Sequence, residues 1–114
     1  MSKMELLQGT LDMLVLRVLS GGPMHGWGIA QRIQILSKDV LQVEEGSIYP
    51  ALYRMEHKGW IGAKWGQSAN NRRAKYYELT KEGHKQLSTE SKDWTRICAA
   101  IGAIMNSAER PGQL

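Results

Sequence analysis

Side chains that combine hydrogen bonding with positive charge are concentrated in the middle of the 114-residue chain. A short segment that begins at Gly46-Ser47 has a helical apolar stripe, and its opposite face carries tyrosine, arginine and histidine. A turn-rich segment with further arginines and lysines follows. Such groups suit phosphate oxygens and other polar acceptors. The candidate contact residues of this region are Ser47, Tyr49, Pro50, Tyr53, Arg54, Lys64, Asn70, Asn71, Arg72, Arg73 and Lys75.

The net charge of the chain has a local origin. The chain holds 15 basic and 11 acidic residues, a net charge of +4. Residues 54–85 alone hold eight basic and three acidic residues, a net charge of +5. This distribution is typical of a surface that binds phosphate. A basic face that contacts only water would give the same count.

Several of these side chains have a structural alternative. Ser47 is expected to cap its helix, with or without a contact to phosphate. Tyr49 lies in the first turn, where it either reaches a phosphate or a thymine methyl group or packs on the following hairpin. Arg54 is a ligand of phosphate or guanine, or else a solvated side chain. Pro50 mainly sets the start of the helix.

His25 and Gly26 stand at the predicted start of an earlier helix. Free backbone N–H groups and the positive end of the helix dipole make such a position a phosphate site. The alternative is that the His25 side chain only caps the helix.

Three predicted helices place these residues. The first is buried on several sides, begins near Lys3 or near Thr10, and ends at residues 20–23. The second runs from about His25 to Ser37, and the third covers about residues 47–58 before Gly59 ends it. The apolar stripe of the second helix consists of Trp27, Ile29, Ala30, Ile33 and Leu36.

Two strands and a long helix complete the chain. Residues 60–66 alternate, with Ile61, Ala63 and Trp65 on one face, and residues 72–79 form the return strand. Tyr77 and Leu79 are expected on its buried face. Thr80 is expected to cap a final helix that runs to about Asn106.

The final helix has an apolar seam that one small domain cannot cover. Apolar positions recur every three or four residues, as in a coiled coil, with Glu90 as one polar member. The helix would be about 40 Å long at 1.5 Å per residue, so its outer half should pack on a second copy. The expected interface residues are Leu87, Trp94, Ile97, Cys98, Ile101, Ile104 and Met105.

Two residues of the seam invite a second interpretation. Trp94 is either an interface anchor or, with its copy, the lining of a pocket for a flat aromatic ligand. Cys98 is expected to pack as a small apolar side chain. A redox role has little support, because the chain has no second cysteine.

The order of elements predicts a winged helix-turn-helix, a mainly α-helical fold with a small β-hairpin and a long dimerisation helix. Its third helix suits the major groove of DNA and its hairpin the flanking phosphates. We expect a DNA-binding unit over residues 1–80, with the wing at about 60–79, a dimerisation helix over 81–106 and a flexible tail over 107–114.

Other classes of function are disfavoured by the sequence. No run of apolar residues is long enough to span a bilayer, no signal peptide is recognisable, and one cysteine favours the cytoplasm. His and Cys lack the spacing of a metal site. No catalytic motif is present. We therefore expect neither an enzyme, nor a cofactor, nor a metal.

Four segments resemble the PadR family of bacterial transcriptional regulators over roughly residues 5–105. The resemblance implies a winged-helix dimer that represses nearby genes for detoxification, efflux or stress, in the short branch with a single C-terminal helix. Some drug-sensing members use an aromatic residue at the place of Trp94 to stack ligands. The matching segments are Gly9–Leu16, His25–Ala30, Glu45–Glu56 and Arg72–Gly83.

Three hypotheses follow. The first is a homodimeric, sequence-specific repressor that binds a palindromic operator, with half-sites about 34 Å apart, and that is associated with the bacterial nucleoid when bound to DNA. The second is a dimer that senses a small aromatic effector at the subunit interface and binds DNA secondarily. The third is a protein-interaction module, which the basic hairpin disfavours.

Overall fold

Four helices and three strands make up residues 8–67 and 70–108, the part of the chain that the structure, a computed structural model, describes. The elements are α1 (Gln8–Leu19), β1 (Met24–His25), α2 (Gly26–Leu36), α3 (Glu45–His57), β2 (Ile61–Gln67), β3 (Arg73–Leu79) and α4 (Lys81–Met105). This confirms the expected fold class, mainly α-helical with a small β-hairpin and a long final helix.

The core lies between the first three helices and the sheet. Because the apolar residues of α1 cover more than one face, α1 contacts α2, α3, α4 and β3. Burial of these apolar side chains supplies the main free energy of folding. The largest fully buried side chains are Leu16, Ile29, Ile48, Leu52, Met55, Ile61 and Val15.

The sheet has one strand more than the sequence predicted. Its order is β1-β3-β2, and both pairings are antiparallel. In β1, Met24 and His25 lie opposite Tyr77 and Tyr76. Two residues are too few to show the alternation of a strand, so β1 was not predictable from periodicity.

Two N-cap positions suggested by the sequence, Thr10 and Ser47, are wrong. Helix α1 already includes Gln8 and Gly9, so Thr10 is not its N-cap; the alternative start near Lys3 lies outside the described residues. Helix α3 is capped at Glu44, whose carbonyl oxygen accepts from the backbone N–H groups of Ser47 and Ile48 at 3.0 and 2.9 Å.

Two residues of the predicted apolar stripe of α2, Trp27 and Leu36, are exposed at 38% and 58%. Leu36, assigned to the apolar stripe of α2, lies in the last turn of the helix, beyond its packed part. Trp65, which the predicted alternation places on the same face as Ile61 and Ala63, is 59% exposed. It lies near the end of β2, where the strand extends past the helices and its guanidinium neighbour Arg73 covers the ring.

Helix α4 is anchored at its first turn and extends away from the core. As predicted, the Thr80 hydroxyl caps it by accepting from the Gly83 N–H at 3.1 Å. The hydroxyl also donates to the Gly59 carbonyl oxygen at 2.5 Å. Beyond Glu90 nearly every residue of α4 is exposed, and the chain measures 63 × 34 × 21 Å. None of the described helices is long and apolar enough to cross a membrane.

Candidate nucleic-acid interface

The outward face of α3 carries most of the predicted reading residues. Ile48, Ala51, Leu52 and Met55 have no exposed surface, and this stripe turns the opposite face of the helix to solvent. That face consists of Ser47, Tyr49, Pro50, Tyr53 and His57, all exposed.

Ser47 and Pro50 have different local roles from those predicted. Ser47 is the third residue of α3 rather than its N-cap, so its exposed hydroxyl is not engaged in the predicted cap. Pro50 is the sixth residue, beyond the first turn, and does not set the helix start. Its ring instead forms an exposed apolar point on the reading face.

Tyr53 is stacked on the next turn of α3. Its ring centroid lies 4.2 Å from that of His57, and the His57 Nδ1 atom lies 3.0 Å from the Tyr53 carbonyl oxygen. These contacts restrict the Tyr53 side chain, so this side chain loses less conformational entropy when it binds a ligand. His57 was not among the predicted site residues, although its spacing of four from Tyr53 places it on the same face.

Tyr49 packs across the start of α2. A Cβ atom placed on Gly26 would lie 2.7 Å from the Tyr49 Cε1 atom, so the ring occupies the space that a side chain there would need. Burial raises the pKa of the Tyr49 hydroxyl above its ordinary value, and the Glu45 and Tyr77 groups raise it further. At neutral pH the hydroxyl is therefore protonated and able to donate a hydrogen bond.

His25 adopts the capping alternative. Its Nδ1 atom accepts from the Gly28 backbone N–H at 3.0 Å, and its ring meets the Tyr76 ring edge-on at 6.0 Å. Gly26 is buried and faces the Tyr49 ring. The start of α2 is thus covered by side chains, which weakens the prediction of an open phosphate site at His25 and Gly26.

Arg54 belongs to an internal ion pair that the sequence did not indicate. Its Nη2 atom lies 3.0 Å from the Oδ1 atom of Asp12 on α1, and the Asp12 side chain is nearly buried. Burial raises the pKa of the Asp12 carboxyl above its ordinary value, although the Arg54 charge opposes the rise. An acid inside the mostly apolar α1 hints that Asp12 needs a partner, but nothing in the sequence points to Arg54 as that partner.

The basic residues of the β2–β3 hairpin, which we call the wing, have different contact partners. Arg73 stacks on the Trp65 ring, with 4.6 Å from its guanidinium carbon to the ring centroid. Lys64 pairs with Glu78 at 3.0 Å, and Lys75 pairs with Glu56 of α3 at 3.3 Å. At the tip the exposed residues are Asn70, Asn71 and Arg72; Asn71 has a positive φ of 60°, which asparagine tolerates in a turn.

A cavity brings the predicted residues of the three elements together. It lies between the start of α2, the first half of α3 and the wing. None of its lining side chains is a carboxylate, so its surroundings favour an anionic group. The lining residues are His25, Gly26, Tyr49, Trp65, Arg73, Ala74, Lys75 and Tyr77.

The predicted interface residues on α4 fall into two groups. Leu87 is 8% exposed and belongs to the chain's own core, because it lies in the part of α4 that packs on the first helix and the sheet. The others form an exposed face with Trp94 at 46% and Ile104 at 73% exposure. The members of this α4 seam are Trp94, Ile97, Cys98, Ile101, Ile104 and Met105.

A second cavity adjoins Trp94, between α1 and α4. It is lined by Gly9, Thr10, Met13, Glu90, Asp93, Trp94 and Ile97. The Glu90 Oε2 atom is buried, with no hydrogen-bond partner among the described residues. Within the same residues, no group of His, Cys, Asp and Glu is arranged to hold a metal ion.

Comparison with known proteins assigns this arrangement to a family. Residues 15–89 match the transcriptional regulator PadR-like family. The chain is 31% identical to a PadR family transcription regulator from hypervirulent Clostridium difficile, with a TM-score of 0.74 over 86% of this chain and 100% of that one.

Two further structures are similar. A PadR-like transcriptional regulator from Bacillus cereus has 26% identity and a TM-score of 0.77, with 89% of this chain and 96% of that one covered. A protein from Streptococcus mutans has 26% identity and a TM-score of 0.82 over 96% of this chain and 98% of that one. The second match extends the likeness over nearly the whole chain.

Proposed function

This chain belongs to the PadR-like family of transcriptional regulators, and from that premise we propose that it is a homodimeric repressor that binds a palindromic operator. The observation that carries the proposal is the position of the exposed α3 face beside the basic wing. A reading surface and a phosphate-binding surface then contact the same stretch of duplex. The protein would act on chromosomal DNA in the bacterial cytoplasm.

In this proposal α3 enters the major groove. The groove is about 12 Å wide and accepts a helix with its side chains. Ser47 and Tyr49 supply hydroxyl groups for base edges or phosphates, while Pro50 and Tyr53 offer apolar surface for thymine methyl groups. The protonated Tyr49 hydroxyl acts as a donor, in keeping with its raised pKa.

The wing contacts the flanking backbone. Arg73 is the main candidate ligand, because no carboxylate among the described residues pairs with it and because it lines the cavity shared with Tyr49. Asn70, Asn71 and Arg72 lie at the tip, where they reach further along the same strand. Lys64 is a weaker candidate, since Glu78 already neutralises its charge.

The α4 seam is the proposed dimer interface. It is an apolar stripe on a 25-residue helix, and its large side chains are about half exposed or more in the single chain. A second copy of the same stripe is the simplest cover in a symmetric dimer. Two α3 helices would then read half-sites about 34 Å apart.

Selection of bound sequences from random duplexes tests the proposal. The enriched duplex should bind at least about 1,000-fold more tightly than an unrelated duplex of equal length at the same salt concentration. Binding that is no tighter than to random DNA would reject it and would favour a protein-interaction role for the same fold.

Two variants separate reading from backbone contact. Tyr49→Ala should lower affinity for the enriched duplex more than for random DNA, whereas Arg73→Ala should lower both about equally and reduce the salt slope by about one. Equal losses in both variants would contradict this division of roles.

A second candidate function is the sensing of a small aromatic effector at Trp94. The cavity beside this indole and the unpartnered Glu90 oxygen favour it, because a ligand there would satisfy both. Titration with flat aromatic compounds should quench the Trp94 fluorescence and weaken DNA binding. The matched control is Trp94→Phe, in which the remaining tryptophans should show no quenching.

A further inference from the structure

One ion pair holds each flank of the reading helix α3. On one side, the Arg54 Nη2 atom lies 3.0 Å from the Asp12 Oδ1 atom of α1. On the other, the Glu56 Oε1 atom lies 3.3 Å from the Lys75 Nζ atom of the wing. The helix is thus attached to a neighbour on both sides, within its last four residues.

The geometry of a helix gives these two pairs a specific effect. Arg54 and Glu56 are two residues apart, or about 200° around the axis at 3.6 residues per turn. They therefore flank the apolar stripe that contains Met55. Apolar burial is not directional, so the stripe alone defines the rotation of the helix about its axis less specifically than two ion pairs do. A rotation in either direction would lengthen one of the two pairs.

Rotation of α3 matters because its reading residues lie on one narrow face. Tyr49 and Tyr53 are one turn apart and point to the same side of the helix. A rotation of a few tens of degrees would direct both away from a groove floor. It would leave the charge of the wing unchanged.

We propose that Arg54 and Lys75 are positioning residues, which set the angle of α3 through Asp12 and Glu56, rather than ligands of DNA. This assignment rests on the proposed function and changes the role that the sequence suggested for both side chains. Each cation is already matched to a carboxylate within the fold. A phosphate would have to compete with that carboxylate.

The two roles predict opposite results for Glu56→Gln. If Lys75 is a phosphate ligand, loss of the Glu56 charge frees it, and affinity rises for every duplex. If Lys75 is a positioning residue, the helix loses one of its two attachments, and the preference for the enriched duplex falls. The loss of one negative charge affects both duplexes alike, so it cancels in the ratio of the two affinities.

The experiment measures that ratio, with the duplex enriched by the wild-type protein and a scrambled duplex of equal length. Glu56→Gln and Lys75→Gln should each lower the ratio about five- to tenfold. The double variant should lower it no further, because both changes break the same Lys75–Glu56 contact. The salt slope of Lys75→Gln should change by less than about half a unit.

Glu78→Gln is the matched control. Like Glu56→Gln, it removes one negative charge. The partner of Glu78 is Lys64, and both residues belong to the wing, so this change breaks no contact with α3 and the ratio should stay at the wild-type value. Asp12→Asn is the matching change on the other flank. Its side chain is nearly buried on α1, so a lowered ratio there acts through the cations beside it, chiefly Arg54 and to a smaller extent Lys58. Circular dichroism verifies that each variant is folded. If Asp12→Asn is unfolded, the ratio measured for Glu56→Gln decides whether the assignment holds.

Each outcome decides the assignment. A higher affinity of Glu56→Gln for both duplexes with an unchanged ratio would overturn it, as would a loss of one full unit of salt slope in Lys75→Gln. A wild-type ratio of one would overturn the proposed function and this assignment with it. A wild-type preference that Glu56→Gln retains would overturn the assignment alone.

Discussion

Gly26 controls where the Tyr49 ring can lie, because the two residues meet where α2 begins. The space for a Cβ atom at Gly26 is taken by the Tyr49 ring at 2.7 Å and by a Leu52 methyl group at 3.1 Å. A buried residue at the start of α2 thus limits where a candidate reading side chain can lie.

We predict that Gly26→Ala displaces the Tyr49 ring and lowers affinity for the enriched duplex about tenfold, with little change for random DNA. Stability should change by less than about 1 kcal/mol, since the ring is a movable side chain and alanine favours the helix. Electrophoretic shift and urea unfolding measure the two effects. Gly9→Ala, with no atom within 4 Å of the new Cβ, should leave both affinities unchanged and should be as stable as wild type or slightly more stable.

Asp12 gives the stability of the chain a distinctive pH dependence. Burial raises the pKa of its carboxyl above the ordinary value of 3.8 despite the Arg54 charge. The folded chain therefore binds a proton at Asp12 before the unfolded chain does. The resulting stabilisation is fully present below pH 3.8 and is lost as the pH rises through the folded pKa.

We predict that wild type gains stability relative to Asp12→Asn as the pH falls from about 7 to about 4. Urea unfolding of both proteins at several pH values measures the difference. Because the asparagine does not titrate, the difference isolates Asp12 from the other carboxyl groups. A difference that moves in favour of Asp12→Asn on acidification would contradict the prediction.

At this scale, the sequence predicts which residues face outward but not what they bind. Helical spacing identified Tyr49 and Tyr53 as exposed, because the buried stripe of Ile48 and Leu52 defines which side of the helix faces outward. It could not identify the partner of Arg54, which lies 42 positions away. Such a pair depends on how helices pack, and spacing within one helix carries no information about that.

The junction between α3, the wing and α4 depends on one glycine. A Cβ atom at Gly83 would overlap the Trp60 carbonyl oxygen and lie 3.2 Å from a Leu79 methyl group. Because the Trp60 oxygen also accepts from the Thr80 backbone N–H at 3.1 Å, it cannot move without breaking that bond. The first turn of α4 is therefore pressed against the start of β2.

We predict that Gly83→Ala destabilises the fold by about 2–3 kcal/mol, the range for a side chain forced into a packed region. Thermal unfolding at a fixed protein concentration measures the effect. Gly102→Ala is the control in the same helix. No atom lies within 4 Å of its new Cβ, so the variant should be as stable as wild type or slightly more stable.

Long elements were predictable from the sequence, whereas short elements were predicted poorly. The apolar repeat identified α2, α3 and α4, and the Thr80 cap marked the start of α4 correctly. The two-residue β1 left no periodic signal. The start of α3 was displaced because Ser47 resembles a cap, whereas the backbone of Glu44 performs that role without a side-chain hydrogen bond.

The exposed α4 seam makes the assembly of the whole molecule testable. We predict that Ile101→Asp converts the protein to a monomer at micromolar concentration, because the charge would be buried without a partner in the dimer. Sedimentation velocity measures the mass. Ile35→Asp on α2, at an equally exposed isoleucine outside the seam, should leave the assembly unchanged.

The sequence anticipated this surface from the length of the helix together with its apolar repeat. A helix of 25 residues extends about 37 Å, whereas the core that it joins covers little beyond Leu87. What length did not show is the division within the seam. Leu87 stabilises the chain itself, and only the residues from Trp94 onward remain for a second copy.

Helix α4 is held at its first turn by Thr80, and most of its length extends away from this point. The Thr80 hydroxyl holds the carbonyl oxygen of Gly59, the residue at which the chain turns out of α3. If α4 tilts by about 5° about its first turn, its far end moves by about 3 Å, given a rise of 1.5 Å per residue. In the proposed dimer, a small change at the interface between two copies would therefore alter the angle at which each α3 helix is presented to DNA.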